Sequence, residues 1–472
     1  MEQMHPTVLS EIVHAYDIRG VYPVEINEEV FFTFGQAFGT YAICHGSPES
    51  ANNNIAVGRD NRPSGESLMK SFIGGLISTG CSVTDLGIVT TPMVNFSEYT
   101  SGVSAGVSIT ASHNKPEFNG LKISFNKKPF LPKGYQELKK FIEIGKFEKG
   151  KGKLKKEDIW PKYKEHILQL VKVPHKLRIV IDSGNGTTGL FAPDLFKSLG
   201  CEIIELYTES DGTFPNHLPY PQVEAYYKKL SQTIREAKAD FGIAFDGDGD
   251  RLGVYDEKGN FVQSDFLGAI FAASILERKS GENIVVNVGT SSAASDYVER
   301  HGGKIVYSKT GYPFMMNTMQ KVRSPFGAEL SGHFYFKDEY YGFGDATYAA
   351  ARFCQIIGEK KVAVSQLVHT FPKVYATEEV RVNLPERTDK EKLIEKVKEE
   401  IIRKYPEAKI NLTDGVLFTL PNGSWGLIRL SNTENVLSLR AESKKGAGLK
   451  QVALLMEELL GAQGVIFNWK QV

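Results

Sequence analysis

The sequence predicts an α/β chain: three similar α/β domains with mixed sheets, then a smaller C-terminal α+β domain. Three observations carry that prediction. At 472 residues the chain is too long for one core, and its length suits about three or four domains. Short β-branched runs alternate with helical stretches over most of it, in a βαβ layout that recurs three times at a period of roughly 110 residues. After Lys373 the alternation gives way to an antiparallel hairpin series.

In order, "IAVGR" (Ile55–Arg59) leads into a helical "SGESLMKSFIGGLISTG", then "SVTDLGIV", then a helix opened by Pro92. "VSAGVSIT" (Val103–Thr110) follows as an apolar strand of small residues. The rhythm resumes at "LRIVIDS" (Leu177–Ser183), "NIVVNV" (Asn283–Val288) and "KIVYSK" (Lys304–Lys309). Apolar runs of this length separated by helices belong to buried parallel or mixed sheets. The lysine-rich "GKFEKGKGKLKKED" (Gly145–Asp158) has three glycines and no apolar period, and reads as a solvated linker marking the first boundary. It lacks the interleaved aromatics of a nucleic-acid patch. Beyond Lys373, "EEVRVNL", a helix from about Asp389 to Lys404, "GVLFTLPNGSWGLIRLS", "VLSLRAES" and a helix around Leu449–Leu460 make the α+β domain.

Composition narrows the function. With 41% hydrophobic and 24% charged residues, the chain reads as an ordinary soluble protein. Its 56 basic and 56 acidic side chains cancel, so no global field favours nucleic acid or a membrane, and an anionic ligand needs a local basic cluster. Cys44, Cys81, Cys201 and Cys354 are far apart with no metal spacing, which reads as four buried thiols in a reducing cytoplasm. No signal peptide is evident, and the apolar Phe266–Leu276 is too short to span a bilayer. A cytoplasmic location is expected.

Chemistry concentrates in a few loops. "FDGDGDRLGV" (Phe245–Val254) places Asp246, Asp248 and Asp250 on alternate positions with Arg251 next. The acids fit positions 1, 3 and 5 of an EF-hand and Glu257 fits position 12, but Arg251 stands where that loop needs glycine, and strands flank it rather than helices. Three hard oxygen ligands converging from a glycine loop suit Mg²⁺, leave it open positions for a phosphate oxygen, and let Arg251 grip the same phosphate. "GNGTTG" (Gly184–Gly189) matches a dinucleotide fingerprint, yet a lone match is weak, and Glu202 and Glu205 come early for the ribose acid. In "VSITASHNKPEFNGLKIS" a strand drops into a loop carrying Ser112, a candidate nucleophile in such company, beside His113 and Asn114. In "FGAELSGHFYF", Glu329, Ser331 and His333 alternate and would face one side of extended backbone, a set suited to a polyol. In "RLSNTEN", Arg429, Ser431, Asn432 and Thr433, with Arg440 on the next strand, offer the dense small donors a terminal phosphate needs.

"YDIRG", "VGRDNRPSGESL", "TASHN", "DGDGDR", "GAELSGH" and "RLSNTE" stand in the order found in the α-D-phosphohexomutase superfamily, and the chain most resembles its bacterial phosphomannomutase/phosphoglucomutase group. The resemblance runs nearly end to end, and "TASHN" with "DGDGDR" is its most specific part. It implies four domains around a central cleft: a phosphoserine-loop domain (1–156), a metal-binding domain (157–261), a sugar-recognition domain (262–372) and a phosphate-binding domain (373–472). It implies that Ser112 is carried as phosphoserine, with one Mg²⁺ bridging it to Asp246, Asp248 and Asp250. The resemblance further implies that hexose phosphates of mannose or glucose pass through a 1,6-bisphosphate, which also activates the enzyme. Arg19, Lys122 and Arg251 would stabilise the moving phosphoryl, and His333 or Lys122 would relay the hydroxyl proton. Tyr16, Glu329, Ser331, His333 and the Arg429–Thr433 loop would bind substrate. Nucleic acid and membrane are not expected partners, and the chain is expected as a monomer or weak homo-oligomer. Alternatives within reach of the same residues are a glucosamine-phosphate mutase, a metal-dependent sugar phosphatase and a silent sugar-phosphate-binding relative. The first is disfavoured by Thr110, where that branch usually has serine. Three departures stand out: Tyr312 replaces a usual histidine, Gly289 a frequent basic residue, and Lys115 precedes Pro116.

Overall fold

The computed structural model describes residues 6–46, 53–385, 388–431 and 435–469. Its first sheet runs, in spatial order, Ile18–Val21, Phe118–Phe125, Ala105–Ile109, Asn54–Arg59, Ser82–Ile88 and Leu154–Lys156, with Lys128–Pro129 paired to Phe118–Phe125. Asn54–Arg59 is parallel to both neighbours, whereas Ala105–Ile109 meets Phe118–Phe125 antiparallel. The sheet is therefore mixed. Ile55, Val57, Val107 and Ile109 pack under Phe34, Phe38, Phe72 and Leu76 of the helices Glu28–His45 and Gly65–Thr79. The parallel pairing brings the carboxyl ends of Asn54–Arg59 and Ala105–Ile109 to one edge, where α/β sheets place their ligand loops.

The second sheet repeats the scheme with Phe261–Val262, Leu252–Tyr255, Phe241–Phe245, Arg178–Asp182 and Glu202–Leu206. Phe241–Phe245 is parallel to Arg178–Asp182 and antiparallel to Leu252–Tyr255, so the acid loop lies between antiparallel strands beside the loop that follows Asp182. Leu230 and Ile234 of the helix Lys228–Ala237 cover one face. Phe353 of the helix Ala346–Lys360 meets Phe241 edge-on, ring centroids 5.0 Å apart.

These two sheets belong to one compact unit, formed by the chain up to Leu267 together with Ser331–Val368. The second unit holds Gly268–Leu330 and the chain from His369. In it Asn283–Asn287 pairs in parallel with Lys304–Ser308 and Phe326–Ala328. A separate six-stranded sheet is antiparallel throughout its named pairs, with Val436–Ser443 between Trp425–Leu430 and the short strands Tyr375–Ala376 and Val380–Asn383. Helices Lys390–Lys404 and Gly446–Gly461 bury Val397, Ile401, Val452 and Met456 against it. The expected class, three α/β sheets and a C-terminal α+β layer, is what the chain adopts. No helix among the described residues is long and apolar enough to cross a membrane.

Two expectations are corrected. The stretch Gly145–Asp158 is not merely a linker: Gly150 N and Gly152 N donate to Ser78 O and Ile77 O, and Leu154–Lys156 adds a parallel edge strand beside Ser82–Ile88. Its side chains stay exposed, so backbone pairing leaves no apolar period to read. Of the four thiols, Cys81, Cys201 and Cys354 are buried, but Cys44 is exposed near the end of Glu28–His45.

Candidate active site

Ser112 lies in the turn after Ala105–Ile109, fully buried, with φ at 53° in the left-handed region that side-chain-bearing residues seldom adopt. Something must hold it there. Ser112 N donates to Thr110 Oγ1 at 2.8 Å, and that hydroxyl donates to Asp60 at 2.7 Å. Arg62, from the loop after Asn54–Arg59, does more. Its Nη2 donates to the carbonyl oxygens of Ser112 (2.9 Å) and Asn114 (2.7 Å), its Nη1 to those of Lys115 (2.5 Å) and Phe118 (3.0 Å). Its Nε reaches Asp60 at 3.0 Å, an ion pair with neither side chain exposed. A guanidinium fork satisfies four loop carbonyls at once, which a lysine could not.

Asp246, Asp248 and Asp250 present ligand oxygens within 4.8 Å of one another, all three buried. Ser112 Oγ donates to Asp246 Oδ2 at 2.8 Å, so the serine hydroxyl faces the acid cluster directly. Asp246 Oδ1 accepts from the backbone N–H groups of Asp250 and Arg251, both at 3.0 Å, which curls the loop around it. Thr91 anchors the loop from outside, its hydroxyl 2.6 Å from Asp248 Oδ2 and its N–H 2.9 Å from Asp248 O. The glycines have distinct reasons. Gly249 has φ at 76°, and a Cβ on Gly247 would lie 2.5 Å from Ser112 O. The serine loop and the acid loop touch at Gly247.

Three carboxylates this close need a cation. Lys122 Nζ supplies one charge, bonded to Asp248 at 2.7 Å and Asp250 at 2.5 Å. Burial works against its charge, but Asp248, Asp250 and Asp246 outweigh that and raise its pKa. Burial and the two neighbouring acids drive Asp246 well above the usual carboxylate range. The charge deficit is therefore not met by Lys122 alone. Asp248 Oδ1 and Asp250 Oδ1 are buried without a hydrogen-bond partner, orphaned acceptors of the kind a hard divalent ion satisfies. The residues fit a metal.

Around this core, His113 lies tilted against Tyr220, ring centroids 4.3 Å apart, and has Nδ1 3.2 Å from Ser112 Oγ. Burial, then Arg251 and Arg19, hold its pKa well below the usual value, so it is neutral. Arg19 bridges Asp17 and Asn114 Oδ1, each at 2.7 Å, and thereby braces the serine loop. Tyr16 is half-buried and packs on the first core. His333 Nδ1 faces Asp250 O at 2.9 Å. Glu257 is held elsewhere: it accepts from Ser365 N and Ser365 Oγ at the start of the helix Val364–Val368.

The "GNGTTG" loop serves the acids rather than a dinucleotide. Thr187 N donates to Gly247 O at 3.0 Å, and a Cβ on Gly186 would lie 3.0 Å from Gly247 Cα. Its glycines make room for the acid loop.

The alternation expected of Glu329, Ser331 and His333 does not occur, because a turn with Gly332 at φ 83° interrupts the extended backbone. Glu329 belongs to the second unit, where it accepts from Gly311 N at 2.8 Å; half-buried Ser331 and buried His333 belong to the first. In the second unit, register pairs Leu427 with Arg440 and Arg429 with Ser438, so Arg429 and Arg440 share one face of the hairpin. Arg440 Nη1 donates to Gly289 O at 2.7 Å, and Arg429 Nη1 to Leu430 O at 3.3 Å. Half-buried Ser431 follows; Asn432 and Thr433 lie outside the described residues. Arg62, Asp60, Thr91, Thr110 and Tyr220 carry no signal of this role in the sequence beyond the "RDNR" and "HLPYP" stretches that contain some of them.

A buried strand-end serine aimed at an acid triad that can hold a metal is suited to phosphoryl transfer. Comparison with known proteins gives the family. The phosphoglucomutase/phosphomannomutase α/β/α domains I, II and III match residues 10–148, 161–259 and 263–375, and the C-terminal domain of the same family matches 379–459. A phosphomannomutase/phosphoglucomutase of Pseudomonas syringae pv. tomato is 36% identical over 447 residues, 95% of this chain and 94% of the relative. A phosphoglucomutase of Neisseria gonorrhoeae is 34% identical over 448 residues, covering 94% of this chain and 96% of the relative. The crystal structure of a phosphoglucomutase/phosphomannomutase family protein from Burkholderia thailandensis matches with a TM-score of 0.89 at 34% identity, covering 96% of this chain and 98% of that one. The chain belongs to the phosphoglucomutase/phosphomannomutase family.

Proposed function

We propose that the chain interconverts hexose 1-phosphates and 6-phosphates, of glucose and of mannose, through a phosphoserine at Ser112 and a hexose 1,6-bisphosphate. The observation that carries this is the 2.8 Å hydrogen bond from buried Ser112 Oγ to Asp246, with Asp248, Asp250 and Lys122 alongside. Asp246, Asp248 and Asp250 would hold Mg²⁺, which when bound neutralises charge on the phosphoryl being moved.

The remaining roles fall to side chains. A hydroxyl of the bound hexose phosphate attacks the phosphorus on Ser112: the new P–O bond to the sugar forms, the bond to Ser112 Oγ breaks with its electron pair left on that oxygen, the sugar hydroxyl gives up its proton and Ser112 Oγ takes one up. Lys122 and Arg251 offset the negative charge during that exchange, which depends on positioning and electrostatics more than on covalent help. His333 Nδ1 faces the Asp250 carbonyl oxygen, so it carries the hydrogen there. His333 or Lys122 takes the hydroxyl proton. The bisphosphate then presents its other phosphate to Ser112, the same bonds change in reverse, and the isomeric monophosphate leaves. Arg429, Ser431 and Arg440, with Asn432 and Thr433, take the phosphate that is not reacting, and Glu329 and Ser331 take sugar hydroxyls. Glucose and mannose differ only at C2, which explains why one set of hydroxyl contacts would serve both.

Intact-mass spectrometry tests the reading. After incubation with glucose 1,6-bisphosphate and Mg²⁺, the protein gains one phosphoryl group and Ser112→Ala gains none. In a coupled assay glucose 1-phosphate becomes glucose 6-phosphate. Release of inorganic phosphate in place of isomerisation would make the protein a phosphatase, and a protein that never takes up phosphate would refute the mechanism.

A further inference from the structure

Arg251 is the cation beside the acid loop, yet little fixes its guanidinium. Its backbone N–H is bound to Asp246, but Nε is buried without a hydrogen-bond partner, and the nearest Asp246 oxygen lies 3.7 Å away, beyond hydrogen-bond range. What the guanidinium does meet is the ring of Tyr220, with Cζ 5.6 Å from the centroid. The same ring lies 4.3 Å, centroid to centroid, from the imidazole of His113, the neighbour of Ser112.

Tyr220 is itself held firmly. It lies between two prolines, and its N–H and carbonyl are bonded to Leu218 O (2.9 Å) and Val223 N (3.0 Å). Pro219 and Pro221 sit on glycines of the acid segment. A Cβ on Gly247 would lie 3.4 Å from Pro219 Cγ, and one on Gly253 would lie 2.9 Å from Pro221 Cβ. The Pro-Tyr-Pro segment therefore moves with the acid loop, and its ring reaches from there to the serine loop.

We propose that Tyr220 is a positioning residue for phosphoryl transfer: its ring, against the His113 imidazole and beneath the Arg251 guanidinium, holds that guanidinium toward Ser112 and the acid triad. The proposal rests on the mutase reading above. An aromatic face attracts a guanidinium whether or not it carries a hydroxyl, and the attraction strengthens where water is excluded. The ring, not the phenol oxygen, is the working part. Without it the long Arg251 side chain recovers rotamers that point away, so the bound substrate is unchanged but the charge is absent when the phosphoryl moves.

Steady-state kinetics on glucose 1-phosphate, with Mg²⁺ and glucose 1,6-bisphosphate, tests this. Tyr220→Leu is expected to lower kcat about tenfold or more while KM stays within about threefold, the pattern of a lost transition-state interaction. Tyr220→Met follows Leu, since it restores bulk without a ring, and Tyr220→Phe keeps kcat within about threefold of the parent. In an Arg251→Ala background, Tyr220→Leu costs less than about twofold, because the group it positions is gone. The proposal is overturned if Tyr220→Leu keeps full kcat, if Phe fails as badly as Leu, or if the loss is undiminished without Arg251. Failure of the mutase reading would show in the parent protein, which would then make no glucose 6-phosphate.

Discussion

Removing the Arg62 guanidinium should both destabilise the first sheet's domain and release the serine loop. Arg62 and Asp60 form an ion pair with neither side chain exposed. Burial is the largest influence on each: it raises the Asp60 pKa and lowers that of Arg62, against the pull of the partner charge. The pair is thus not a net source of stability, but breaking it from one side leaves a charge without its partner, at about 3–5 kcal/mol. Arg62 also satisfies four loop carbonyls, at Ser112, Asn114, Lys115 and Phe118. Some of those will find water, so the sum stays near about 5 kcal/mol rather than reaching the total of separate orphan penalties. For a domain of this size that lowers the melting midpoint of its transition by about 10–20 °C. Arg62→Met, matched in bulk, is the perturbation, and differential scanning calorimetry with mutase kinetics on the same sample is the assay. Arg62→Met/Asp60→Leu should regain part of the stability, since both charges are gone, but not the activity, since the carbonyls that fix Ser112 at φ 53° remain unheld. A single variant that melts within about 2 °C of the parent at full kcat would refute the reasoning. So would a double variant that recovers activity.

Other consequences follow from contacts elsewhere in the same unit. Gly247→Ala puts a Cβ 2.5 Å from Ser112 O, so the two loops must part by roughly 0.8 Å, and kcat should fall about a hundredfold with little change in melting. Asp248→Asn removes a charge from the triad; isothermal titration should show Mg²⁺ affinity reduced by at least about tenfold, and chelation should leave the parent folded. Glu98 is buried, and burial pushes its pKa from 4.5 up to about 7 despite bonds from Ser124 and the Lys127 N–H. The folded state therefore binds more protons than the unfolded one between those values, and stability falls as pH rises from 4.5 through 7, by about 3 kcal/mol in all. Glu98→Gln should gain on the parent in melting midpoint from pH 5 to pH 8, and an equal difference at both would rule this out.

What the sequence revealed and what it hid divide along a physical line. Asp246, Asp248 and Asp250 were legible because carboxylates at that spacing repel one another in any backbone that turns them inward, so the pattern itself demands a cation. The strands that carry them were legible as apolar runs. Arg62 was not, because an arginine among polar residues looks the same whether it points to water or into a ring of carbonyls; only the parallel pairing of Asn54–Arg59 with Ala105–Ile109 puts it beneath Ser112. The edge strand Leu154–Lys156 escaped for the converse reason, since it pairs through its backbone and leaves its side chains exposed. Glu329, Ser331 and His333 misled because a two-residue period was extended across Gly332, whose positive φ ends it.

Glycine shows the point most clearly. "GNGTTG" invites a nucleotide, and the glycines of "DGDGDR" invite the idea of a pliant metal loop. In the folded chain Gly186 is small because Gly247 lies against it, and Gly247 is small because the carbonyl of Ser112 does. The two glycine loops and the serine turn are stacked backbone to backbone at Gly186, Gly247 and Ser112. Such a stack transmits displacement: a methyl group at Gly247 cannot be absorbed by a rotamer, so it must appear as distance between Ser112 and Asp246. That is why the 2.8 Å bond from Ser112 Oγ to Asp246 is the measure of the site's integrity, and why the glycines that stack these loops should govern its rate.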